Sequence, residues 1–144
     1  MVEDTATRDV MVDLNNSGVD GDARAVLDEA CMAELRALDP DGKAQLVRRV
    51  LAAYQASLAK QLAQMRASRA AGDWEQVARA AHTLKSSSAS VGALALSALC
   101  ADIERQVREG DAAAVAPRLD AFDREVLRVD AAVARLLGEP EAAA

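Results

Sequence analysis

The sequence predicts an all-α protein, an antiparallel up-down four-helix bundle with a short additional N-terminal helix. Three observations carry this. Apolar residues recur at spacings of three and four through successive segments. Breaks of only a few residues, marked by Gly, Asp or Pro, separate them. The chain is 51% hydrophobic but only 2% aromatic, so Leu, Val and Ala must build a core of the kind that packed helices interdigitate.

The elements follow in order. A short helix over about 23–38 places Leu27, Cys31, Leu35 and Leu38 on one side and stops at Asp39-Pro40. A long one over about 41–71 repeats Val47, Leu51, Tyr54, Leu58, Leu62 and Met65. Gly72 ends it, and Asp73 is a good N-cap for the next. The third, about 74–91, aligns Val77, Ala81, Leu84, Ser88 and Val91, after which Gly92 reverses the chain. The fourth, about 93–109, carries Leu96, Leu99, Ile103 and Val107 and closes at Gly110. The last, about 112–137, bears Val115, Leu119, Phe122, Val126, Val129, Val133 and Leu136. Pro117 requires that helix to begin near it or to kink.

A chain of 144 residues suits one domain. Residues 1–21 are polar and turn-prone and read as a flexible arm or linker; 22–138 form the bundle; 139–144 read as a frayed tail. Asp13, Asn15, Ser17 and Gly18 resemble the start of a calcium loop, but its last position is Arg24 where Glu is needed, so calcium is rejected. A net charge of −6 without a basic stripe argues against nucleic acid. No apolar run approaches the roughly 20 residues of a membrane span, and no signal peptide opens the chain, which points to the cytoplasm. Cys31 and Cys100 form neither a redox pair nor a metal set and read as core residues in a reducing compartment.

The lone histidine narrows the search for chemistry. On an ideal helix His82 points about 140° from the core direction of the third segment, toward solvent. Ala78, Ser86 and Ala89 share its face and form a low collar that another protein's site could close over. Arg79 and Lys85, three residues to either side, offer cations to an anionic group on the ring. An exposed ring, a clear approach and flanking positive charge suit a phosphate-accepting nucleophile.

The stretch AHTLKSSSASVGA, Ala81 to Ala93, resembles the phosphoacceptor motif of histidine phosphotransfer (HPt) domains, roughly H-x-L-K-G-S-x-x-x-x-G. His82, Leu84, Lys85, Ser87 and Gly92 fall in place, and the likeness continues over about 25–137. It departs at Ser86, where the family usually has Gly. The resemblance implies a phosphorelay carrier without its own ATP site, not an enzyme. His82 would take a phosphoryl group from a receiver-domain aspartate and pass it to another receiver. Its partners would be response-regulator receivers and a hybrid sensor kinase, and a histidine kinase label would apply only within such a kinase. The chain would need no cofactor or metal of its own, because the receiver supplies Mg²⁺. Lys85 would hold the phosphoryl oxygens, with Arg79, Ser86, Ala78 and Ala89 at the docking face. Glu104, twenty-two residues after His82, matches the place of a Gln or Glu that orients the imidazole, and Gly92 is the turn residue.

Three rival functions have different sequence requirements. A Cys100–His82 nucleophile–base pair lacks a third, orienting group. A self-contained kinase needs a Gly-rich nucleotide segment, and none is present. A receiver-binding scaffold without phosphotransfer differs only in chemistry, and keeping both His82 and Lys85 argues against it.

Overall fold

The computed structural model describes residues 26–138, in which every regular element is helical. The expected arm 1–21 and tail 139–144 lie outside the described residues. The elements are α1 (Glu29–Ala37), α2 (Leu46–Ala71), α3 (Trp74–Ser90), α4 (Leu94–Arg108) and α5 (Ala112–Leu136). Each of α2 to α4 packs against the next, and α5 returns to α2, so four helices close around one core while α1 packs on α2.

The expected first segment is broken at Leu27 and Asp28, with Val26 helical before the break, and α2 starts later than its periodicity predicts. Asp28 is extended and its carboxylate accepts the Cys31 N–H at 3.0 Å, fixing the start of α1 at Glu29. Leu27 and Met32 are buried while Leu38 is 73% exposed, so the stripe expected through Leu38 turns away from the core. Before α2, the Asp39 carboxylate accepts the N–H groups of Ala44 and Leu46 at 3.3 and 3.1 Å. That local competition holds 39–45 out of the helix, with Gln45 left-handed at φ 55°.

The later boundaries agree with expectation to within a residue. Asp73 caps α3 by accepting the Gln76 N–H at 3.3 Å, and Asp111 caps α5 by accepting that of Ala114 at 3.1 Å. α5 runs through Pro117, whose missing N–H removes one hydrogen bond near the helix start. The predicted stripes of α2, α3 and α5 are buried almost throughout, from Leu51 to Met65, Val77 to Val91 and Val115 to Val133. Leu136 is the exception, 54% exposed, and Leu137 enters the core in its place.

Gly92 sets how α3 and α4 meet. Its φ is 83°, and a Cβ there would lie 2.9 Å from the Asp28 nitrogen. The Asp28 N–H donates to the Gly92 carbonyl at 2.8 Å, fastening the turn to the start of α1. Only glycine meets both demands. The expectation that Gly92 is a turn residue therefore matches its conformation and adds a backbone contact.

Candidate functional site

α3 is gripped on two sides, by α2 and by α4. Its buried arc is consequently wide: Val77, Ala78, Ala80, Ala81, Leu84 and Ser88 are all buried. His82 stands outside that arc, with its side chain 61% exposed. Ser86 and Ala89 are exposed on either side of the same helical edge, as expected. Ala78 is a correction. It has no exposed surface, because packing on two flanks buries more of α3 than a single stripe would, and so it cannot touch a docking partner.

Glu104 of α4 organises the site. Its Oε2 lies 3.0 Å from His82 Nδ1 and its Oε1 accepts from Lys85 Nζ at 3.1 Å. Arg108, one turn along α4, approaches Oε2 at 3.5 Å. The Glu104 side chain is only 14% exposed. Burial pushes its pKa upward, but hydrogen bonds and charge from Lys85, with a contribution from His82, outweigh that and hold it below the usual carboxylate value. An ionised carboxylate only accepts, so the bond at Nδ1 requires Nδ1–H. In the neutral ring the lone pair then belongs to Nε2.

A groove of about 460 Å³ opens beside the ring, lined among others by Gln64, Gln76, Arg79, Thr83 and Arg108. Lys85 flanks His82 on the other side, and Ser97 Oγ, donating to the Lys85 carbonyl at 2.8 Å, ties that turn of α3 to α4. Arg79, expected to offer a cation to an anionic group on the ring, lines the groove but pairs with Glu75, four residues back, at 3.3 Å. Arg108 reaches the other Glu75 oxygen at 3.7 Å. Sequence reasoning missed both Glu75 and Arg108. Their signal was available as four-residue spacings, Glu75 to Arg79 and Glu104 to Arg108, on either side of the histidine.

Of the two cysteines expected in the core, Cys31 is only partly buried. Cys100 is fully buried, and burial pushes its thiol up to about 12, leaving almost no thiolate near neutrality. Among the described residues no grouping of His, Cys, Asp and Glu forms a candidate metal set, and no helix is long and apolar enough to cross a membrane.

The family model of the Hpt domain matches residues 49–137, which take in α3, α4, α5 and nearly all of α2. No curated protein and no solved structure matches the chain. Hpt domains are phosphocarriers of two-component systems that interact with receiver domains and are not catalysts. With a match over more than half of its length, and an all-helical fold to go with it, the chain belongs to the Hpt domain family.

Proposed function

We propose that His82 is the phosphoacceptor and that the chain relays a phosphoryl group between receiver domains in the cytoplasm. The observation that carries this is the pairing of Nδ1 with Glu104 beneath a ring that is 61% exposed. In the forward step the Nε2 lone pair attacks phosphorus and the P–O bond of the donor's aspartyl phosphate breaks. The carboxylate leaves, and the ring keeps its Nδ1 proton. The ring gains positive character as the new bond forms, which the Glu104 carboxylate stabilises. Return to a second receiver reverses each of these changes. The receiver supplies Mg²⁺ and most of the charge neutralisation, so the chain needs no cofactor of its own.

Lys85 carries three donors, so it can keep Glu104 and still offer a hydrogen bond to a phosphoryl oxygen. Ser86 and Ala89 present small side chains where the partner must approach. A hybrid sensor kinase is the proposed source of phosphate.

The test supplies a phosphorylated receiver to the full chain and to His82→Gln. Acid-labile, base-stable label should appear on the first and not on the second. Equal receiver binding with no label on either protein would favour the scaffold reading instead.

A further inference from the structure

Beside the groove at His82 lies a charge arrangement that the acceptor chemistry above does not use. Glu75 lies in the first turn of α3, and each of its oxygens faces a different guanidinium. Oε2 meets Arg79 Nε at 3.3 Å, and Oε1 meets Arg108 Nη1 at 3.7 Å. Both arginines line the groove with His82, while Lys85 flanks the ring from the next turn. All three side chains are about half exposed or more: 57% for Glu75, 65% for Arg79 and 49% for Arg108.

We infer that Glu75 is a latch, a positioning residue that draws Arg79 and Arg108 together until a phosphoryl group at His82 takes them over. The inference rests on the phosphoacceptor reading of His82. Its logic is competition between anions. Exposed ion pairs at these separations are weak, whereas guanidinium groups form short, charge-assisted bonds to phosphoryl oxygens. A carboxylate has two oxygens and one charge; a phosphoryl group has three oxygens and up to two charges. Exchange therefore favours the phosphoryl group, and both arginines already line the groove beside the ring. Arg108 also contacts Glu104 at 3.5 Å, so its movement is sensed at the carboxylate that orients the ring.

The experiment uses the full chain with phosphoramidate as donor. Its P–N bond breaks as the Nε2–P bond forms, and ammonia leaves after proton uptake. Intact mass follows the label, and thermal melts confirm that each variant is folded. Glu75→Gln should label about two- to fivefold faster than wild type at low salt, because the competing charge is gone. That gain should fade toward about 1 M salt, where the screening length falls to roughly 3 Å. It should also vanish when Glu75→Gln is introduced into an Arg79→Ala/Arg108→Ala background, since the latch acts only through those cations.

A Glu75→Gln protein that labels at or below the wild-type rate at low salt overturns the latch alone, as does a gain that survives without the arginines. If wild type takes no label from either phosphoramidate or a phosphorylated receiver, the phosphoacceptor reading falls and the latch with it.

Discussion

Ser88 and His82, six residues apart on α3, each reach a polar group on a neighbouring helix, but in opposite directions. Ser88 points inward and its Oγ lies 2.8 Å from the Tyr54 hydroxyl of α2, with no exposed surface. Burial pushes Tyr54 up to about 12 despite that bond, so the inner pair stays neutral at any ordinary pH. His82 points outward, with one ring nitrogen held by Glu104 and its side chain 61% exposed. Both pairs bridge helices at nearly the same distance. The inner one satisfies hydroxyls in a buried core, and the outer one engages only one of the two ring nitrogens. Their difference sets a buried, satisfied pair against an exposed one along a single helix.

Breaking the inner pair should give the largest effect on stability. Ser88→Ala leaves the Tyr54 hydroxyl in the core without this partner and should lower unfolding free energy by about 1–3 kcal/mol. Labelling of His82 should be unchanged. Adding Tyr54→Phe should recover part of that loss, because no stranded hydroxyl remains. Denaturant melts of the single and double variants read this directly; a double variant worse than the sum of its parts would contradict it.

Breaking the outer pair should do the reverse. Glu104→Ala removes the acceptor at Nδ1 and should slow labelling of His82 about five- to tenfold. Its stability should change by less than about 1 kcal/mol. Glu104→Gln keeps an acceptor oxygen and should fall between wild type and Ala in rate. Equal rates for all three proteins would remove Glu104 from the mechanism.

Acidity sharpens the comparison with smaller effects of opposite sign. Glu104 is held below its ordinary value of 4.5, so its ionised form stabilises the fold above that value. That contribution is lost as pH falls through the lower folded value, and Glu104→Gln should flatten this part of the stability curve. Asp130, half-buried on α5, is raised above 3.8 by burial. Its contribution is full below the unfolded value and lost as pH rises through the folded one, so Asp130→Asn should remove that decline. Chemical denaturation across the acid range distinguishes the two slopes.

Much of this was legible in the residues themselves. The stripe Val77, Ala81, Leu84, Ser88 gives the inward face of α3, and the angular offset of His82 gives the outward one. The pairing with Glu104 followed from the resemblance and agrees with the observed distance. Ala78 was misassigned because a helical wheel assumes one buried side, whereas α3 has neighbours on two. The starts of α1 and α2 were misplaced because Asp28 and Asp39 satisfy backbone N–H groups locally, which periodicity does not register. Glu75 and Arg108 went unremarked because charged residues on a helix surface are commonplace until an ion pair beside the groove joins them.

The glycine turn between α3 and α4 makes the 22-residue interval from imidazole to carboxylate a fixed gauge. The carbonyl clasp to Asp28 and the lack of room for even a methyl group hold both helices in one register. One residue inserted within either arm would swing everything beyond it by about 100°. An insertion there should therefore part the carboxylate from the ring even if every side chain were kept.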